Sequence, residues 1–403
     1  MSRRAWTLLA LALAARLAFA AAMPAGGRGA PMPDNDGYVG LARSFAATGS
    51  LLAPDGTPSA LREPVFPLVL GCLFKAFGAG YGVVLLLNTA LGLAMLWLLM
   101  RLGDELLGPP VGEAALALGA LYPAFLYHNA QPMRETALTL ASVAVVAAVL
   151  RARRAGSARA WAAAAVVTAL ASLTNTTFLP FALILVPAGL LWEGRAAAGP
   201  SLRRAAAYLA VFCVLYAPWP ARNYARFGRV ILGSTAGAGS TFYTYLVVPQ
   251  EIGGLPAQTR LTDADPVFKG ALGLAPAASE AYFWRQGLAR VRRHPLAYAR
   301  LVAWRFFVDI WRVVPRPRPG EGSRRLLVWA SVLSDGWVLP AALAGAVLAG
   351  TSAPGLFWAY ALVASVNGVY ALVLTSIRYR ISAMPWALLL AAYALVRHKP
   401  FPG

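Results

Sequence analysis

The chain has 403 residues, of which 59% are hydrophobic and only 13% charged, a balance too apolar for an ordinary soluble domain. Its formal charge of +20 is nearly all arginine, and a nucleic-acid-binding protein of that charge would carry its arginines on a soluble scaffold, which is not visible here. Many apolar runs approach the roughly 20 residues that cross a bilayer as a helix, whereas the ~10-residue alternating segments of a membrane β-barrel do not occur.

In chain order, the hydropathy pattern predicts membrane helices over 5–22, 82–100, 112–127, 134–150, 160–175, 177–192, 204–219, 326–348, 354–375 and 381–397, about ten in all. The first has the basic start and small-residue end of a signal peptide, but Arg16 interrupts its apolar region, and it reads as a retained helix. A further apolar stretch, 63–77, contains Pro64, Pro67 and Lys75 and reads as a re-entrant or interfacial piece. Cys72 and Cys213 sit in apolar stretches and read as packing residues.

Charge sets an expected orientation. With the N-terminus in the cytoplasm, the inner loops hold Arg101, then Arg151, Arg153, Arg154 and Arg159, then Arg195, Arg203 and Arg204, and the tail holds Arg397 and Lys399. The short outer turns 128–133 and 174–178 contain no Lys or Arg, so N-in and C-in is the arrangement that the positive-inside bias predicts. Two segments then face outward, 23–81 and about 220–325, as loops of a single membrane domain, 1–403.

Five places bear residues suited to chemistry. The first loop carries Asp34-Asn35-Asp36-Gly37-Tyr38, which suits a turn, with Asp34 or Asp36 capping a helix built from Tyr38 to Ala47. The turn ending in Arg134-Glu135-Thr136 puts an acid where an apolar helix begins; its charge suits that N-terminus, yet carboxylates near membrane depth also tend to be functional. The stretch Tyr216 to Gly228 joins interfacial aromatics to Arg222 and Arg226, which suit either snorkelling or a bidentate phosphate site. Aromatics and arginines interleave over 280–314, around Arg293-His294-Pro295, as in helices lying in the interface plane; Pro295 starts the second of these and Pro315 ends it. Arg378-Tyr379-Arg380 stands at the outer face against the positive-inside bias, which suits an anionic partner or snorkelling arginines. No Walker loop, nucleophile elbow or zinc signature occurs, and the three histidines are not paired at ligand spacing.

In succession, these features resemble the GT-C class of membrane glycosyltransferases, closest to the bacterial branch related to protein O-mannosyltransferases and lipid A aminoarabinose transferases. The resemblance rests on Asp34-x-x-x-Tyr38-x-x-x-Ala42, Arg62-Glu63-Pro64-x-Phe66-Pro67, Arg134-Glu135-Thr136, Pro218-Trp219-x-x-Arg222-Asn223-Tyr224-x-x-Phe227-Gly228, Arg293-His294-Pro295-x-x-Tyr298 and Arg378-Tyr379-Arg380. It implies an all-α GT-C bundle that transfers a sugar from a polyprenyl-phosphate donor to a glycan, lipid or protein acceptor at the extracytoplasmic face, with inversion. By the resemblance Asp34 is the general base, with Asp36 close behind because Asn35 stands where relatives often have a second acid. Glu135 would orient the acceptor or a cation; Arg222, Arg378, Arg380 and Arg293 would face the phosphate; Tyr38, Glu63, Asn223, His294 and Tyr379 would be neighbouring binding positions. Some relatives bind a divalent metal, which leaves a metal open here. An outer-face polysaccharide polymerase or ligase, and a lipid or solute transporter, are the competing readings.

Overall fold

The structure, a computed structural model, describes residues 2–22, 32, 34, 36–193, 198–234, 238–247, 264–274, 276–314, 324–350 and 353–397. Residues 23–31, Asn35, Arg195, Pro315 and Lys399 lie outside them. The described chain is helical, with a lone β-bridge between Leu52 and Pro58. It forms two compact units: one from 1–234, 337–366 and 381–403, the other from 235–336 and 367–380.

The first unit opens with α1 (Arg3–Ala22) and the amphipathic pair α2 (Tyr38–Thr48) and α3 (Val65–Phe77). α2 and α3 bury one face each in a cluster of Tyr38, Val39, Ala42, Phe66, Leu70 and Phe74, joined by Val84 and Leu87 of α4 (Tyr81–Leu107). They meet closely because Gly71 has no side chain: a Cβ there would lie 2.8 Å from Phe45 Cδ1 and 2.9 Å from the Ala42 carbonyl. At 13 residues α3 is too short to span a bilayer straight across.

The expected helix 112–127 is two pieces, α5 (Val111–Ala120) and α6 (Pro123–Asn129). Pro123 has no N–H for the carbonyl one turn back, so the ladder breaks at Leu121–Tyr122. α7 (Glu135–Ala155) and α8 (Ala158–Thr174) follow, the second capped by the Ser157 hydroxyl. A 3₁₀ turn (Thr176–Phe178), a π turn (Phe181–Leu185) and α9 (Val186–Glu193) cover the expected span 177–192; Pro180 stands between the two turns, and Pro187, with no N–H to give back, stands where the π turn passes into α9. α10 (Ala198–Tyr216) and α11 (Pro218–Phe227) complete the first run.

The chain returns with the later part of α16 (Arg324–Ala349), most of α17 (Leu356–Val373) and α18 (Met384–Arg397). α18 is buried from Met384 to Ala394, packs on α4, α5 and α7, and donates from Trp386 Nε1 to Ser142 Oγ at 2.8 Å. Glycine makes its closest crossing possible, since a Cβ at Gly345 would fall 1.9 Å from the Leu390 carbonyl. Among the described residues, five helices are long and apolar enough to cross a membrane: Arg3–Ala22, Tyr81–Leu107, Glu135–Ala155, Val328–Ala349 and Leu356–Val373. Other expected spans appear as shorter apolar helices, among them α5, α8 and α18.

In the second unit α12 (Ala238–Val247) packs on α14 (Pro276–Arg293), with α13 (Pro266–Ala271) beside it. α15 (Pro295–Phe307) begins at Pro295 as expected but ends well before Pro315, passing at Val308 into a 3₁₀ turn, Asp309–Trp311.

Candidate active site

In the first unit the acidic loop is built around Gly37. Its φ of 76° is the left-handed conformation open to glycine, and a Cβ there would also strike Leu61 Cδ2 at 2.6 Å. This turn lets Asp34 reach over the start of α2. Its Oδ1 accepts from the Val39 N–H at 2.9 Å and its Oδ2 from the Gly40 N–H at 2.6 Å. The capping seen from sequence is therefore carried by Asp34, which fixes the carboxylate's orientation.

Asp36 turns the other way. Its Oδ1 pairs with Arg62 Nη2 at 3.1 Å, and Arg62 Nε donates to the Asp36 carbonyl at 2.6 Å. Glu63, next along the chain, is buried; its Oε2 pairs with Arg134 Nη1, and its Oε1 accepts from the Thr176 N–H and hydroxyl, both at 3.2 Å. Arg134 Nη1 also donates to the Thr174 carbonyl at 3.0 Å. Tyr38, 1% exposed, lies between the two arginines, with Arg62 Cζ 5.3 Å and Arg134 Cζ 5.9 Å from its ring centroid, and meets Phe66 edge-on. Burial pushes its phenol well above the usual range, opposed by Arg134. The sequence motifs thus meet as one network: Asp36–Arg62, Tyr38, and Arg134–Glu63–Thr176. Glu135 is buried at the first turn of α7, next to Arg134.

The Tyr216–Gly228 motif has an internal task that sequence did not show. Asn223 Nδ2 donates to the Ile231 carbonyl (3.0 Å), the Tyr216 hydroxyl to that of Leu232 (2.6 Å) and Trp219 Nε1 to that of Gly233 (2.8 Å). Three side chains pin three successive carbonyls. Arg222 donates to the Ser59 carbonyl (2.8 Å), to Asn223 Oδ1 (3.0 Å) and to the Leu51 carbonyl (3.4 Å), and its guanidinium lies 5.1 Å from the Trp219 ring centroid. Burial, then the nearby Arg226, lowers its pKa. It ties the first loop to α11.

In the second unit, Arg380 is 3% exposed; it pairs with Asp335 and donates to the carbonyls of Arg312 (2.6 Å) and Ile310 (3.2 Å). Arg305, fully buried, donates to the Ala371 and Val373 carbonyls (3.2 Å each) and to that of Tyr245 (2.6 Å). Asp309 accepts from the Thr375 hydroxyl and pairs with Arg312 at 3.1 Å. These bonds latch 371–380 in place. Arg378 is half-buried and Tyr379 stacks on Tyr370 at 4.4 Å. Arg293 and His294 are exposed at the junction of α14 and α15, where Arg290, Arg292 and Arg293 suit the helix C-terminus. Sequence reasoning did not single out Arg305, Asp309 or Asp335; an acid inside an apolar run, as at Asp335, was the available signal. Among the described residues no group of three or more His, Cys, Asp or Glu side chains forms a metal-ligand set. Asp34 has the N–H partners, and Asp36 and Glu63 the guanidinium partners, described above.

The fold is shared with a solved transferase. Against the oligosaccharyltransferase of Archaeoglobus fulgidus in its apo form, the chain superimposes with a TM-score of 0.57 at 15% identity, covering 98% of this chain and 50% of that one. The chain thus spans about half the length of that enzyme. Weaker likenesses are to ArnT from Cupriavidus metallidurans bound to undecaprenyl phosphate (TM-score 0.47, 15% identity, 98% and 78% covered) and to the arabinosyltransferase EmbB from Mycobacterium smegmatis (0.40, 16%, 99% and 41%). No curated protein matches the chain by sequence. The fold is that of the GT-C membrane transferases. Residues 58–221, about two fifths of the chain, match the family model described as dolichyl-phosphate-mannose-protein mannosyltransferase, in line with the resemblance seen in the sequence. The matched segment takes in Glu63, Arg134 and Glu135.

Proposed function

We propose that the protein transfers one sugar from a polyprenyl-phosphate-linked donor to a hydroxyl of a glycan, lipid or protein acceptor, with inversion, at the extracytoplasmic face of a bacterial inner membrane. The observation that carries the reading is a carboxylate, Asp34, fixed at a helix N-terminus shortly before a segment that matches a mannosyltransferase family. An alcohol that attacks an anomeric carbon needs a positioned base within hydrogen-bond reach. Asp34 takes the hydroxyl proton as the acceptor oxygen forms its bond to that carbon; the bond to the phosphate oxygen breaks, and the polyprenyl phosphate leaves with its electron pair. Asp36, held by Arg62, is the second candidate base. Glu135 orients the acceptor.

The leaving phosphate needs cations to stabilise its charge. Arg293 and Arg378 are assigned to it, with His294 and Tyr379 beside them in sequence. Arg222 and Arg380 donate to internal carbonyls, which suits positioning. Tyr38, Glu63 and Asn223, all buried, hold the loops in shape. The cytoplasmic termini follow from the arginine-rich loops between the helices.

The test is transfer by purified protein in liposomes, with radiolabelled polyprenyl-phosphate sugar and an envelope extract as acceptor. Asp34→Ala and Asp36→Ala should each depress transfer and the double variant abolish it. Full activity in both single variants and in the double would overturn the base assignment, and movement of the lipid without loss of its sugar would mean a transporter.

A further inference from the structure

Arg16 lies about 20 Å along the α1 axis from Arg3, inside a helix long and apolar enough to cross a membrane, and is 1% exposed. Its Nη1 donates to the Ala12 carbonyl at 3.0 Å and to the Ala120 carbonyl at 3.5 Å, at the end of α5 where the ladder breaks. These are dipoles. No carboxylate of the described residues pairs with it. A charged side chain at such depth is costly and calls for a compensating charge.

Beside Arg16 is a cavity of about 10 Å³, lined among others by Gly92, Phe125, His128, Thr136 and Thr139. Arg16 Nε and the Thr136 hydroxyl are buried without a hydrogen-bond partner. Gly92 keeps the space, since a Cβ there would come 3.1 Å from Arg16 Nε. The space admits one small sphere, a water or a monatomic ion, and is too small for a phosphate or a sugar.

We propose that this cavity binds a single monatomic anion of chloride size, held by Arg16 Nε–H and the Thr136 hydroxyl, as the counter-ion of the buried guanidinium. Two donors and a full positive charge suit a ligand that only accepts. A water would take the same two bonds but leave the charge uncompensated. Asn129 Oδ1, 3.5 Å from where a Gly92 Cβ would stand and without a partner, is an acceptor that would favour water, so the experiment must separate the two. The proposal is independent of the transfer reading.

The full-length protein is melted in chloride, bromide or gluconate at equal ionic strength, and crystals grown in bromide are measured for anomalous scattering. Expected are a saturable rise in Tm with chloride and bromide over gluconate, and a bromide peak beside Arg16 Nε and Thr136 Oγ1. Thr136→Val and Arg16→Gln should lose the halide-dependent shift. If Arg16→Gln does not fold, Thr136→Val and the wild-type peak decide. A wild-type Tm equal in the three salts with no bromide peak overturns the proposal, as does a water there that bromide does not replace.

Discussion

Replacing Glu63 by Gln tests whether the network around Tyr38 holds the acidic loop. Gln keeps the shape of the side chain and an acceptor for Thr176, and removes only the charge facing Arg134. The two side chains of the pair are 4% and 15% exposed, so solvent screening discounts their interaction little. Removing one partner of a buried pair costs about 3–5 kcal/mol. Because Arg134 keeps its bond to the Thr174 carbonyl at 3.0 Å, the lower end, about 3 kcal/mol, applies. At roughly 1–2 °C per kcal/mol for a chain of this length, Tm should fall by about 3–6 °C. Twelve tryptophans make intrinsic fluorescence of the detergent-solubilised protein a sufficient probe. Adding Arg134→Gln should cost less than the sum of the two single changes, with a coupling of about 1–3 kcal/mol. A Glu63→Gln melt equal to the wild type, or strict additivity in the double variant, would refute the reasoning.

Other expectations follow from the same geometry. Asp34→Asn should keep one of the two α2 capping bonds while lowering transfer by about 10²–10⁴-fold; Asp34→Ala should lose both and about 1 kcal/mol of stability, so activity and melting compared side by side separate base from cap. Gly345→Ala should destabilise by about 1–3 kcal/mol, because its Cβ would fall 1.9 Å from the Leu390 carbonyl, and a lowered Tm checks it. Arg380→Gln leaves Asp335 buried without its cation and should cost about 3–5 kcal/mol, read as faster proteolysis within 367–380; unchanged cleavage would dissociate Arg380 from the latch.

The helices were legible because apolar runs report burial whatever they pack against. What hydropathy averages away was not: Pro123 splits one expected span, and Pro180 and Pro187 mark the breaks in another, although each proline stands in the sequence. The partnerships of the motif residues were not readable either. Asp36 meets Arg62 and Glu63 meets Arg134 only once α2, α3 and α7 have docked, and no local spacing encodes that meeting. Arg222 and Arg380 show the reverse difficulty. An arginine near a membrane face looks like a ligand site in sequence, and only the fold reveals that its donors go to carbonyls of its own chain.

The burial of α18 has a consequence for biogenesis. The first unit's interior receives α18 against α4 and α5, which were made some 280 residues earlier. Contacts of such long sequence separation form late and leave surfaces open meanwhile. Until residues 384–397 emerge, the faces of α4 and α5 that will cover Leu388 and Leu389 have only lipid or a chaperone to meet. Assembly of the first unit therefore waits on synthesis of α18, and a ribosome that stalls before Met384 would leave the bundle without it.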